Sequence, residues 1–365
     1  MRRRDFLIAT AGTVLASRLS AAVDKANWDK AKQILSQATA SGQITAASLL
    51  IQHKRTTITQ AFGTASVDDM FLLGSISKPI SIAALMTLYD QKKFQLDDLV
   101  TKYIPEFKGE GREKTTVRQL LTHVSGLPDQ LPENAMLRSQ HAPLSEFIKH
   151  AIRTPLLFPP GTKYSYSSMA ILLAAEIAQR ITGEDFRKFT EKAVYRPLEM
   201  NRSAMGLGRF ELKDFVKAQV EKAAVESGAG DPNAKSWDWN SKYWRAMGAP
   251  WGAASSSVRD IGKFLQAFLR PDGKMLSVET AKLMVQNHNP PGIKPRGLGF
   301  GFTTQAGCTQ CSDRTFGHTG STGTLAWADP ATETLCVVLT TLPGRAVTPH
   351  PRQQVSDLVA ASVVS

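Results

Sequence analysis

The 365-residue chain is 42% hydrophobic and 21% charged, with a formal net charge of +12. That apolar share supports a large core, or one main domain with a sizeable subdomain, and excludes a disordered or fibrous protein. Its lysines and arginines are scattered, which argues against a nucleic-acid binder and leaves a general preference for anionic surfaces or substrates.

The chain opens on MRRRDFLIATAGTVLASRLSAA, with a basic start, an apolar stretch from Phe6 to about Ala16, and small residues at Ser20, Ala21 and Ala22. This order is that of a secretory signal, and the apolar part is far shorter than the roughly 20 residues that span a bilayer. Arg3 and Arg4 followed by Asp5, Phe6 and Leu7 resemble a bacterial twin-arginine signal, so residues 1–22 are expected to direct a folded protein to the periplasm or outside the cell. Cleavage after Ala22 removes Arg2, Arg3, Arg4, Arg18 and Asp5, which leaves the mature chain at +9 with no stable membrane span.

Next, NWDKAKQILSQATASG predicts an amphipathic helix closed by Gly42, and ASLLIQHKRTTITQAFG predicts two short strands joined by a basic turn. In FLLGSISKPI, residues 71–80, two serines and a lysine stand between an apolar run and a helix start. Ser75 there is either a helix cap or a nucleophile. Ser75 and Lys78 at i and i+3 share a helix face, about 5–6 Å apart, whereas Ser77 points elsewhere and reads as replaceable. A serine needs a proton acceptor, and a lysine serves as one only when burial or cationic neighbours lower its pKa. The helix start also supplies backbone N–H groups where negative charge would develop.

Residues from about 79 to 290 are mainly helical in period, as in ISIAALMTLYDQ, SSMAILLAAEIAQRITG and SVRDIGKFLQAFLR. Within them, Tyr166, Ser167 and Ser168 precede a helix. Tyr164 reads as packing and His123 as a structural hydrogen-bonding residue. WDWNSKYWRAMGAPW, residues 237–251, holds four of the six tryptophans and reads either as a cleft wall or as a hydrophobic subcore. A second group of strands follows in GLGFGFTTQ, RTFGHTG, GTLAWADP and TLCVVLTTLP, with HPRQQVSDLVAASVV as a closing helix. His318, Thr319, Gly320 and Ser321 lie on a strand whose glycines allow close approach of another backbone or a substrate. The simplest architecture is an antiparallel sheet built from both ends of the chain, flanked by helices, with the helical region inserted between.

Cys308, Cys311 and Cys336 are odd in number. One disulfide is expected, either within the C-x-x-C turn or from it to Cys336, and no zinc site is completed. No G-x-S-x-G elbow, H-E-x-x-H pair or dinucleotide fingerprint occurs, so neither a metal nor another cofactor is expected.

Ser75 to Lys78, Tyr166 to Ser168 and His318 to Gly320 stand in the order of the S-x-x-K, Y-x-N and K/H-T-G motifs. With TTVRQLLTHVSGLP, PGTKYSYSS, RPLEM and WGAASSSVRDIGKFLQAFL, they make the chain resemble the β-lactamase-related serine hydrolases: class C β-lactamases, D-Ala-D-Ala carboxypeptidases and family VIII esterases. The resemblance implies a β-lactamase/transpeptidase-like α/β fold over a single domain, residues 23–365. It implies Ser75 as the acylated nucleophile, with Lys78 and Tyr166 sharing the proton work and Tyr166 acting as a phenolate or a relay. It also implies an oxyanion hole from the backbone N–H groups of Ser75 and Ser321, with Ser168, His318, Thr319 and Gly320 meeting the substrate. Two departures, Ser168 for asparagine and His318 for lysine, remove an amide and a permanent cation. They favour simple acyl esters over β-lactams and D-peptides as the small-molecule substrate. A non-turnover sensor of cell-wall fragments is the alternative from another class.

Overall fold

The computed structural model describes residues 24–363, so the leader call on residues 1–22 lies outside the described residues. Six strands form one antiparallel sheet: β1 (Ala46–His53), β2 (Thr56–Gly63), β6 (Gly301–Phe302), β7 (Phe316–Gly320), β8 (Thr324–Asp329) and β9 (Thr334–Thr340), in the spatial order β2-β1-β9-β8-β7-β6. The N-terminal hairpin joins the C-terminal meander through β1 and β9, with Leu49 opposite Val338 and Ile51 opposite Cys336. The two ends of the chain therefore build a single sheet, as the sequence predicts.

The central strands are apolar on both faces because both faces are covered. Along β1 the side chains alternate, with Ala47, Leu49 and Ile51 on one face and Ala46 and Leu50 on the other. The first face packs under α1 (Lys25–Ala40) and α11 (Pro351–Ala361), with Trp327 of β8 buried between them and the sheet. Two indole N–H groups pin this layer: Trp28 donates to Ser362 Oγ at 2.9 Å and Trp327 to Ser356 Oγ at 2.8 Å. Burial of a tryptophan is tolerable where its N–H finds an acceptor, and each of these does.

The opposite face meets α9 (Val258–Leu269), whose Val258, Ile261, Phe264, Leu265 and Phe268 enter the main core. Beyond it lie α2 (Ser77–Asp90), α3 (Val117–Leu121), α4 (Asn134–Ser139), α5 (Leu144–Arg153), α6 (Ser168–Thr182), α7 (Phe186–Thr190), α8 (Lys242–Met247) and α10 (Val278–Met284). The helix α6 shows why such segments fold locally: Ser167 Oγ accepts from Ala170 N at the start, and Gly183 ends it in the left-handed region.

The inserted region is not purely helical. A small sheet, ordered β3-β5-β4, joins β3 (Phe71–Leu72), β5 (Ala254–Ser256) and β4 (Ser203–Met205), while residues 206–241 wander through short turns. Strands of two or three residues carry too little periodicity to stand out in a sequence. Cys308 pairs with Cys311, and Cys336 is a free thiol buried in β9.

Leu339 of β9 is fully buried on the face that meets the main core. Leu339→Ala is expected to cost about 2–5 kcal/mol in urea unfolding; a loss below about 1 kcal/mol would contradict a tightly packed interface at that face.

Candidate active site

The turn that carries Ser75 sits between the two sheets. Ser75 does not cap α2; it occupies a 3-10 turn, Gly74–Ile76, that leads from β3 into the helix beginning at Ser77. Gly74 takes φ +56°, and a side chain there would meet Thr322 Oγ1 at 2.9 Å and Ser321 N at 3.1 Å. Gly320 is equally constrained, since a Cβ would lie 2.1 Å from Leu73 O. These two glycines let β7 and its following turn lie directly on the backbone that carries Ser75.

Hydroxyls lock the contact: Thr322 donates to Leu72 O and Thr324 to Leu73 O, each at 2.6 Å. Arg352 of α11 donates to Gly320 O and Thr324 O from the other side. The N–H groups of Ser75 and Ser321 are thereby drawn together, and neither has a protein acceptor among the described residues.

Lys78 Nζ lies 3.0 Å from Ser75 Oγ and donates to the carbonyl of Trp251 at 2.9 Å. The side chain is buried, and its hydrogen-bond partners are neutral. Burial, with the nearby positive charge of Arg296 adding to it, lowers its pKa to about 7, against the opposing pull of Asp129. Lys78 Nζ lies over the Tyr166 ring, 4.7 Å from the centroid.

Here the electrostatics differ from the expectation of a phenolate. Burial pushes the Tyr166 hydroxyl well above its ordinary value, and the charge of Arg296 only partly offsets this. A neutral phenol beside an amine that titrates near neutrality is the resulting arrangement.

His318 is also buried, and its ring is locked. Arg296 Nη2 lies 2.8 Å from His318 Nε2, and an arginine only donates, so Nε2 accepts and the proton sits on Nδ1, which donates to Thr319 O at 2.7 Å. Burial, with Arg296 and Lys78 nearby, pulls the imidazole pKa well below its usual value. The permanent cation at this position is therefore Arg296, which reasoning from the motifs missed because it sits outside them, in KPRGLGFG.

Ser168 and His123 take supporting places. Ser168 donates its N–H and its hydroxyl to Asp129 Oδ1, at 2.9 and 2.6 Å. His123 Nδ1 accepts from Ser167 N at 3.1 Å and its ring lies 4.6 Å from that of Tyr166, so it braces the tyrosine segment as a structural residue. Tyr164 does more than pack: it lines the cleft, with Lys294 5.4 Å above its ring.

Ser77, read as replaceable from its helix face, is fully buried, and its Oγ accepts from Ala254 N at 3.0 Å. It ties α2 to β5, and Ser81 ties the same helix to the segment before β5 by donating to Pro250 O at 2.7 Å. Three of the four clustered tryptophans, Trp239, Trp244 and Trp251, both line the cleft and belong to the main core, so the two readings of that stretch describe opposite sides of one wall.

Ser75, Tyr166, Ser168, His318, Thr319, Gly320 and Ser321 all face one cleft of about 560 Å³, with Lys78 behind Ser75. A larger depression of about 830 Å³ lies among α5 to α8, where Arg180 pairs with Glu106 and Glu176 and Arg187 with Asp185. Among the described residues no cluster of His, Cys, Asp or Glu could hold a metal ion, and no helix is long and apolar enough to cross a membrane.

The Beta-lactamase family model matches residues 31–360. A protein of Salmonella agona (strain SL483) with the provisional name D-alanyl-D-alanine carboxypeptidase is 28% identical over 335 residues, which span 82% of this chain and 76% of that one. Among solved structures, the D-amino acid amidase of Ochrobactrum anthropi SV3 superposes with a TM-score of 0.74 at 21% identity, covering 93% of this chain and 99% of its own. EstA of Arthrobacter nitroguajacolicus Rue61a gives 0.71 at 21% identity, covering 92% and 96%.

Loss of the Ser77 hydroxyl strands a buried backbone N–H. Ser77→Ala is expected to lower stability by about 1–3 kcal/mol, read as a fall in Tm, whereas an unchanged Tm would restore the reading of Ser77 as replaceable.

Proposed function

The chain belongs to the beta-lactamase family and is a serine hydrolase, and from that premise we propose that it turns over small acyl esters through an acyl-enzyme at Ser75. The observation that carries this reading is the contact of Ser75 Oγ with a buried lysine amine that titrates at about 7. Ser75 Oγ attacks the carbonyl and its proton passes to Lys78 Nζ. The oxyanion accepts hydrogen bonds from the N–H groups of Ser75 and Ser321. On collapse, the leaving oxygen takes a proton through the Tyr166 hydroxyl, which is supplied in turn by Lys78. Water then attacks the acyl-enzyme along the same path in reverse, which releases the acid and restores Ser75.

The ester preference rests on Ser168, which commits its only proton to Asp129 and offers no amide to a peptide-like side chain. A second reading, hydrolysis of D-peptides or β-lactams, is favoured by Arg296, which keeps a permanent positive charge behind His318. Export through the leader at residues 1–22 agrees with the Cys308–Cys311 disulfide, a bond that persists in oxidising compartments.

A short-chain p-nitrophenyl ester, a chromogenic cephalosporin and a D-Ala-D-Ala peptide offered side by side should rank in that order of kcat/KM; faster turnover of either of the last two would reverse the preference. Ser75→Ala is expected to lose at least about a thousandfold in kcat, and an unchanged rate would end the mechanism. Steady product release, in place of one stoichiometric acylation, separates an enzyme from a sensor.

The pH dependence follows from Lys78. Its free-amine fraction grows as pH rises through about 7, so kcat/KM should climb along an acidic limb centred there and level off above it. A profile that is flat between about pH 5.5 and 9 would remove Lys78 as the proton acceptor.

A further inference from the structure

Asp129 is the single carboxylate among the described residues that line the cleft, whose other charged side chains include Lys222, Lys294, Arg296 and Arg345. Its hydrogen bonds run to Ser168 and not to a basic side chain: Oδ1 takes both the N–H and the hydroxyl of Ser168, and Oδ2 takes no donor from the described residues. A carboxylate only accepts and a hydroxyl has one proton, so Ser168 faces the cleft with lone pairs alone. The Asp129–Ser168 pair presents only acceptors to this corner of the cleft, and the buried Ser168 at the start of α6 fixes it in place.

We propose that Asp129 is a specificity-determining residue that binds an ammonium group of the substrate, so that the preferred substrates are esters or amides carrying a primary amine close to the scissile carbonyl, as in amino-acid esters and amides. The proposal rests on the hydrolase reading of Ser75. The basic residues repel an ammonium group from the rest of the cleft, while Asp129 attracts it. The same charge distribution orients the substrate, with its amine at Asp129 and its carbonyl oxygen toward the N–H groups of Ser75 and Ser321. A neutral isostere lacks the charged contact, and an N-acetylated analogue keeps an N–H donor without the charge.

Binding can be read without turnover by comparing Ser75→Ala with Ser75→Ala/Asp129→Asn in ligand-observed NMR titrations. The ligands are D- and L-alanine methyl esters, methyl propionate and N-acetylalanine methyl ester. Asparagine keeps the acceptor for Ser168, so the local structure is preserved. At least one alanine ester is expected to bind Ser75→Ala about fivefold tighter than methyl propionate, an advantage lost in the double variant. Equal binding of the alanine and propionyl esters, equal binding of the N-acetyl ester and the free amine, or a preference that survives Asp129→Asn, would each overturn the proposal.

In the enzyme with Ser75 intact, Asp129→Asn should lower the ratio of kcat/KM for the alanine ester over methyl propionate by the same factor. A uniform fall for both esters would instead mean that Asp129 acts only through the charge it presents to Lys78, and would overturn the proposal as well. Absence of any Ser75-dependent turnover, with the selective binding intact, would sink the hydrolase reading and leave the ammonium site standing.

Discussion

The arrangement of this molecule depends on one close contact, the seating of the turn after β7 on the backbone that leads into Ser75. Gly74 and Gly320 allow it, because a Cβ at either would strike the opposing chain. Thr322 and Thr324 hold it by donating to the carbonyls of Leu72 and Leu73. Such a contact brings two unpartnered backbone N–H groups to the same place without any side chain being devoted to them. It also explains the two-sheet construction: β3, paired with β5, leads into the turn that carries Ser75, while the six-stranded sheet fixes the turn that covers it.

Around that contact, burial sets the electrostatics. Lys78 is taken out of water and surrounded by neutral partners, so its charged form is disfavoured. The same burial acts in the opposite direction on Tyr166, whose neutral form is favoured. Desolvation thus separates the two groups, an amine able to accept a proton and a phenol able to pass one on. Arg296, a residue that keeps its charge at neutral pH, sits behind the neutral His318 and polarises one wall, while Asp129 polarises another. The helices that surround the site bring these unlike environments within one cleft.

The motifs alone made Ser75, Lys78, Tyr166 and His318 legible, because each carries its chemistry in its residue type and spacing. The sheet was legible too: the apolar runs in β1, β8 and β9 are what strands buried on both faces require. Arg296 and Asp129 were not, since a lone arginine or aspartate in a loop looks like any solvated charge until the chain folds. The burial of Ser77 was not legible for the same reason. Its helix face was inferred correctly as distinct from that of Ser75, but the strand that buries this face, β5, arrives from more than 170 positions away.

By itself the sequence determined the periodic elements, the pairing of Ser75 with Lys78 one helical turn away, and the order in which the motifs lie, because these rest on local spacing and on the intrinsic chemistry of side chains. Tertiary structure alone decided which cysteines pair, that burial raises the Tyr166 pKa, that the permanent cation behind His318 is Arg296, and that Ser168 gives its proton to Asp129. Protonation and hydrogen-bond direction depend on what surrounds a group and how much water reaches it, and those surroundings come from segments distant in the chain.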